Sequence, residues 1–394
     1  MDLSLCMIVR DEEQTLPNCL SSISGVVDEM IVVDTGSCDR TIEIAQNLGA
    51  KVFSFSWCND FSAARNESLK HAEADWILVL DADEVLMPET IPALRQAMQE
   101  PDVLVVTLLR QEIGTNRPNS LLSRVFRRHP QITFSRPYHE LVDDSVAAIL
   151  QQEPHWRIVE LLGVAIQHTG YQPGTIAQRQ KVDRARTTMA NYLANHPHDS
   201  YICSKLGALY IESGDLRKGL DLLQRGLKSP QVEPPVQSEL HYHLGSTYSQ
   251  LQNFTQAEKH YRLAIAQPIS PRLKLGAYNN WGSLLKEQGN FSDAKELFQK
   301  AIEIEPTFAM GHLNLGMTLK ALGDLGGAIA HYQRAIELNP TYADAYQNLG
   351  VVLLKVGNVA GSLEMFRRAI DLHQQQGSPE AARLQQGLKE MGLL

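Results

Sequence analysis

Trp76-Ile77-Leu78-Val79-Leu80-Asp81-Ala82-Asp83-Glu84 sets five apolar residues directly before three carboxylates. The apolar run is too short for an ordinary helix and has no polar face. It reads as a strand buried on both sides, as in a sheet covered by helices. Open α/β sheets bind ligands at the carboxyl ends of their strands, and Asp81 and Asp83 fall just past such an end. Two carboxylates one residue apart can grip a hard divalent cation, or divide the work between cation and ligand hydroxyls. Mg2+ takes few protein ligands and completes its shell with phosphate oxygens and water. The partner this points to is a phosphorylated nucleotide. The competing reading is an acidic helix N-terminus, because Glu84, Pro88 and Glu89 follow.

Upstream, the same pattern recurs. Leu3 to Val9 is a short apolar run that ends at Arg10-Asp11-Glu12-Glu13. Thr15 to Ile23 has helical spacing, with Leu16, Leu20 and Ile23 on one face. Met30 to Val33 reads as a second strand, ending in Asp34-Thr35-Gly36-Ser37-Cys38-Asp39-Arg40-Thr41. There Gly36 permits a sharp or left-handed turn and Asp39 can cap the helix from Thr41 to Leu48. Lys51-Val52-Phe53 gives a third strand, and a helix from Phe61 to His71 leads back to the opening motif. Strand and helix alternating at this rhythm predict a parallel sheet with helices on both faces. Three strands then end in polar residues along one sheet edge, the expected ligand crevice. No GxGxxG and no GxxxxGK[ST] occurs, so neither a dinucleotide fingerprint nor a P-loop is supported.

These residues resemble family 2 glycosyltransferases. The resemblance rests on Leu5-Cys6-Met7-Ile8-Val9-Arg10-Asp11-Glu12-Glu13, Val32-Val33-Asp34-Thr35-Gly36-Ser37-Cys38-Asp39-Arg40-Thr41, Ala64-Arg65-Asn66 and Leu80-Asp81-Ala82-Asp83-Glu84. It is dense over residues 3 to 87 and weaker to about residue 180. It implies an α/β GT-A fold, Rossmann-like with a mostly parallel sheet. It also implies an inverting transfer from a nucleotide-sugar donor, often a UDP-sugar, with Mg2+ or Mn2+. By resemblance, Asp34 would hydrogen-bond the base, Asp81 would sit near the ribose and metal, and Asp83 would hold the metal. Arg10 and Arg65 would lie near the nucleotide. Many members carry a second acidic residue after the position of Asp34; here it is Thr35, which leaves base recognition less determined.

The acceptor side is expected in residues 101 to 180. Val103 to Leu109 is a further apolar strand, and Asn116 to Ser120 reads as a loop. Arg124-Val125-Phe126-Arg127-Arg128-His129 alternates, with three arginines in five residues. It reads either as an edge strand with solvated arginines or as a contact to the diphosphate or an anionic acceptor. Phe134-Ser135-Arg136-Pro137-Tyr138-His139-Glu140-Leu141 resembles a His-Glu motif of these transferases, whose acidic residue would be the general base. Inversion by direct displacement needs a base opposite the leaving diphosphate. Glu140 is the expected base and His139 its rival. Ile158 to Gln167 reads as a strand ending in His168-Thr169-Gly170-Tyr171. His168 resembles the late metal-binding histidine of many GT-A enzymes, and imidazole suits Mn2+ better than Mg2+.

From about residue 200 the pattern changes to a repeat. Leu206-Gly207, Leu244-Gly245, Trp281-Gly282, Leu315-Gly316 and Leu349-Gly350 recur, with their glycines 38, 37, 34 and 34 residues apart. Twelve positions on stand Gly219, Ala257, Ala294, Ala328 and Ser362. Four further stand Leu223, Tyr261, Phe298, Tyr332 and Phe366. This resembles the tetratricopeptide repeat (TPR), two antiparallel helices per unit stacked into an all-α solenoid. The expected division is a glycosyltransferase domain over 1–175, a helical linker over 176–199, an array of about five repeats over 200–377 and a capping helix over 378–394. The linker carries Arg179, Lys181, Arg184 and Arg186 and is expected to close one side of the active cleft. Such arrays bind a protein or peptide along their concave face. Asn279, Asn280, Asn314 and Asn348 would contact a peptide backbone there, or form a solvated face.

The bulk numbers agree with this. The chain has 394 residues, 43% hydrophobic and 21% charged, and a net charge of −9 that gives no nucleic-acid footprint. Five cysteines form no CxxC pair, so zinc or disulfides are not expected, and a reducing, cytoplasmic compartment fits. Met1-Asp2-Leu3 makes a poor signal peptide, and no apolar stretch approaches ~20 residues, so no spanning helix is expected; peripheral contact with a membrane's inner face stays open. The acceptor is a glycan, a lipid-linked sugar or a protein side chain. Two rival readings are a scaffold with a degenerate transferase domain and a sugar nucleotidyltransferase. Against the latter, Arg10-Asp11-Glu12-Glu13 is acidic where a triphosphate would need a Gly-rich basic loop.

Overall fold

The computed structural model describes residues 2–113, 120–168 and 176–393, with side chains in the helix that begins at residue 176 described from residue 182 on. The chain forms two compact units, residues 1–213 and 214–394.

The first unit begins with β1 (Leu3–Val9), α1 (Leu16–Ser22), β2 (Glu29–Asp34), α2 (Thr41–Asn47), β3 (Lys51–Ser54), α3 (Phe61–Lys70) and β4 (Trp76–Val79). It continues through β5 (Glu84–Leu86), α4 (Ile91–Gln99), β6 (Val103–Glu112), β7 (Ser120–Arg127), α5 (Asp143–Gln152) and β8 (Arg157–His168). Two helices, α6 (Ile176–Asn195) and α7 (Ser200–Glu212), complete it. The sheet has eight strands in the order β3-β2-β1-β4-β7-β6-β8-β5. Pairs among β3, β2, β1 and β4 are parallel, as is β6 with β8; β7 runs antiparallel to both neighbours, and β5 antiparallel to β8.

The central strands β1, β4 and β6 are buried on both faces because the sheet has a core on each side. Leu3, Leu5, Met7, Trp76 and Leu78 pack with α1 and α4 through Leu16, Leu20, Leu94 and Met98. Cys6, Ile77 and Val79, the alternate residues, pack with Val146 and Ile149 of α5. Successive strand residues point to opposite faces, so an unbroken apolar run is what two cores require.

One expectation is overturned. The arginine-bearing strand is not at an edge: β7 lies between β4 and β6, with Ile77 opposite Phe126 and Val106 opposite Val125. Its direction is the physical reason that periodicity alone could not place it. Running against β4, it enters from the edge where β4 ends, so Arg124 arrives beside Asp81. Residues 116–119 of the expected loop lie outside the described residues, and Ser120 opens β7.

The second unit is helical throughout. It comprises α8 (Leu216–Leu227), α9 (Pro234–Gln250), α10 (Phe254–Ile265), α11 (Leu275–Glu287) and α12 (Phe291–Ile304), then α13 (Ala309–Ala321), α14 (Leu325–Leu338), α15 (Ala343–Lys355), α16 (Val359–Gln375) and α17 (Glu380–Glu390). The repeat glycines are explained by contact. A Cβ on Gly245, Gly282, Gly316 or Gly350 would stand 2.7 or 2.8 Å from the ring of Tyr261, Phe298, Tyr332 or Phe366 respectively. Each ring therefore sits on the bare helix of its own repeat, and all four rings are buried. The asparagines knit neighbouring repeats: Asn314 Nδ2 donates to Asn279 Oδ1 at 3.0 Å, while Lys286 and Lys320 donate to Asn314 and Asn348 at 3.2 and 3.0 Å.

Candidate active site

The carboxyl ends of β1, β2, β4, β6 and β8 share one sheet edge, and the functional side chains gather there. β4 delivers Asp81. Its Oδ1 takes Arg65 Nη2 of α3 and its Oδ2 takes Arg124 Nη2 of β7, the latter at 2.8 Å. Burial works to raise the Asp81 pKa, but Arg124 and Arg65 outweigh it and hold the carboxyl well below the usual carboxylate range. Arg65 reaches Asp81 because α3 places it on the buried face with Ala64 and Ser68. It is 4% exposed, and its Nε donates to Glu140 Oε1 at 2.7 Å. Its Nη1 is buried without a hydrogen-bond partner among the described residues.

One position further on, Asn66 pairs with the backbone of Phe134, donating to its carbonyl at 2.9 Å and accepting from its N–H at 2.8 Å. The triplet Ala64-Arg65-Asn66 therefore does three jobs. It packs on the sheet, bridges Asp81 to Glu140, and holds the segment that leads to Glu140. That segment turns sharply, with Arg136 and His139 both in the left-handed region at φ 75° and 55°. His139 is exposed and lies edge-on to Tyr138.

Asp83 stands beside His168, with Oδ2 3.0 Å from Nε2; the other ring nitrogen, Nδ1, is 2.6 Å from Glu112 Oε2. Burial would lower the His168 pKa, but Asp83 and Glu112 together push it up to about 9. Glu112 is braced by Arg110 at 2.8 Å, which also pairs with Glu84 at 2.9 Å. Glu84 is wholly buried, takes Arg124 at 3.1 Å, and accepts the Asp81 N–H at 2.9 Å. It opens β5 rather than a helix. One charge network thus runs from Glu140 through Arg65, Asp81, Arg124, Glu84, Arg110 and Glu112 to His168 and Asp83.

The residues expected near a nucleotide are less concentrated. Asp34 ends β2, is 4% exposed, and turns its carboxylate onto its own turn, accepting from Gly36 N–H at 3.0 Å and Ser37 N–H at 3.2 Å. Thr35 is bound to β1 through the Val9 carbonyl. Arg10 is exposed and only 3.9 Å from Asp11. Arg65 lies behind Asp81 and Glu140. Glu84, Arg110 and Glu112 were missed in the sequence, although Arg110-Gln111-Glu112 repeats the signal of an apolar strand ending in charge. Thr169, Gly170 and Tyr171 lie outside the described residues.

As a test for a metal, Asp83 and His168 would form an oxygen-nitrogen donor pair that suits Mn2+, the ion displacing the proton that His168 carries between its two carboxylates. Asp81 has both oxygens engaged by arginine. Among the described residues, no group of three or more His, Cys, Asp and Glu is assembled for an ion. The pair fits a cation whose shell is completed from substrate oxygens and water.

Residues 4–159 match the family described as Glycosyl transferase family 2. Tetratricopeptide repeat families match at 238–266, 276–308, 297–330, 316–357 and 343–375. The class is therefore a family 2 glycosyl transferase domain followed by TPR repeats. A TPR repeat-containing protein of Synechococcus elongatus is 45% identical over 77% of this chain and 76% of its own length. The chain belongs to the family of that protein. Glycosyltransferase SunS of Bacillus subtilis is 29% identical over 34% of this chain and 33% of its own. An uncharacterized glycosyltransferase of Rickettsia typhi is 36% identical over 22% and 30%. The chain thus spans about a third or less of those relatives named as glycosyltransferases.

Proposed function

We propose that the chain is a metal-dependent inverting glycosyltransferase that moves a sugar from a nucleotide sugar, a UDP-sugar first among candidates, to an acceptor hydroxyl. The observation that carries this reading is the bridge from Asp81 through Arg65 to Glu140, which ties the donor edge to the acceptor loop. Glu140 Oε1 is engaged by Arg65, leaving Oε2 to take the proton of an attacking hydroxyl. Asp83 and His168 would hold Mn2+ or Mg2+, which when bound would offset charge on the departing diphosphate. Asp34, Arg10 and the Asp81 region would face the nucleotide. The repeats would recruit the acceptor or a partner protein. Among the described residues no helix is long and apolar enough to cross a membrane.

The test is nucleotide release from UDP- and GDP-sugars with Mn2+, for wild type, E140Q and H139Q. Removing a general base costs about 10²–10⁴-fold, so E140Q should fall by that order while H139Q stays within a few-fold. The reverse pattern would move the base to His139. No release from any donor would favour a scaffold built on a degenerate transferase domain.

A further inference from the structure

α6 lies outside the residues that match the transferase family, and it carries two stripes. Ala185, Met189 and Leu193 recur at helical spacing and are at most 5% exposed. On the other side Arg184, Thr187, Thr188 and Asn191 stand at i, i+3, i+4 and i+7, hence on one face. That face walls a cavity of about 690 Å³. Across it stand Asn59 and Asp60, at the entry of α3, and Pro137, three residues before Glu140. The Pro137 carbonyl accepts the Phe61 N–H at 3.0 Å, so this wall runs from the first turn of α3 into the Glu140 loop.

The two arginines of the cavity differ in commitment. Arg136 pairs with Asp144 and with Asp199 and lies over the Tyr201 ring at 4.8 Å, so it shapes the cavity. The side chains of Arg184, Thr188 and Asn191 make no hydrogen bond or ion pair among the described residues. A guanidinium, a hydroxyl and an amide at successive turns therefore face a cavity beside the proposed base. No Leu, Ile, Val, Met or Phe side chain lines the cavity, so a lipid chain has no aliphatic groove to lie in. Extended peptides are held by an open strand edge or by apolar pockets, and this wall is a polar helix face. Planar amide and guanidinium groups beside the Tyr192 ring suit a polyhydroxylated ligand.

We propose that this cavity is the acceptor subsite and that its occupant is an oligosaccharide, whose terminal hydroxyl reaches Glu140. The proposal rests on the transferase reading above, but its test needs no donor. The full chain, wild type and R184A/N191A, is applied to an array of immobilised oligosaccharides and to an array of Ser/Thr-bearing peptides. Wild type should bind a related set of glycans, and the double variant should lose about tenfold or more in affinity, as expected for two lost hydrogen-bonding groups. Its thermal midpoint should be unchanged, since both side chains are exposed. No glycan bound, equal binding by the variant, or peptide binding that the double substitution abolishes would each overturn the proposal. Glycan binding lost in the variant, with no nucleotide-sugar turnover by wild type, would fault the transferase reading and leave the subsite standing.

Discussion

Asp81 holds a guanidinium on each carboxylate oxygen, whereas its motif neighbour Asp83 pairs with an imidazole. Asp81 is half-buried between two nearly buried guanidinium groups, and each charge offsets the desolvation of the other. Asp81 therefore organises Arg65 and Arg124, while Asp83, two residues on, faces His168. Glu29 is a similar case at the other end of the sheet. Burial works to raise its pKa, but Ser4, the Glu73 N–H and Lys51 bring it down to about 2. A depressed carboxylate contributes stability that is present above its unfolded pKa, near 4.5, and is lost as pH falls through about 2. E29Q should therefore unfold at lower denaturant than wild type at pH 7, by up to about 3 kcal/mol. The gap should shrink steadily between pH 4.5 and 2. Denaturant titrations at pH 7, 4 and 3 would check this; a gap that is constant with pH would contradict it.

Elements were legible in the sequence where one rule sufficed. The runs at Leu3–Val9, Met30–Val33 and Trp76–Leu80 read as strands because apolar residues fill consecutive positions, as a sheet with a core on each side requires. The repeat glycines read as TPR frames because each seats one ring. β7 was not legible as an interior strand, since alternation gives a face but not a position in the strand order. Glu84 was not legible as a buried ion-pair centre, since its partners Arg110 and Arg124 come from strands 26 and 40 residues away. The glycine contact supports a sharper expectation. Alanine favours a helix over glycine by about 1 kcal/mol, yet at Gly316 its Cβ would meet the Tyr332 ring at 2.7 Å. Overpacking costs about 1–3 kcal/mol, so G316A should lower the midpoint of the repeat unit. Y332F should leave it unchanged or raised, because the Tyr332 hydroxyl is buried with no partner among the described residues. Thermal melts of the full chain would check both, and a stabilising G316A would contradict the packing argument.

At the scale of the whole molecule, the charge is divided unevenly. Residues 1–213 hold 18 basic and 28 acidic side chains, while residues 214–394 hold 18 and 17. The net −9 is thus carried by the unit with the candidate site, and the proposed diphosphate donor would meet a field of its own sign there. At the sheet edge, Arg65 and Arg124 are already bound to carboxylates and Arg110 to Glu84 and Glu112. A cation brought with the nucleotide answers both facts, and Asp83 with His168 is where it would be held. The direct measurement is calorimetric titration of UDP and GDP into the full chain, each with and without Mn2+, for wild type and D83A. The account predicts that one nucleotide, UDP first, binds only with the metal, and that D83A weakens it by about tenfold or more. Binding of neither nucleotide, or binding indifferent to both the metal and Asp83, would contradict it.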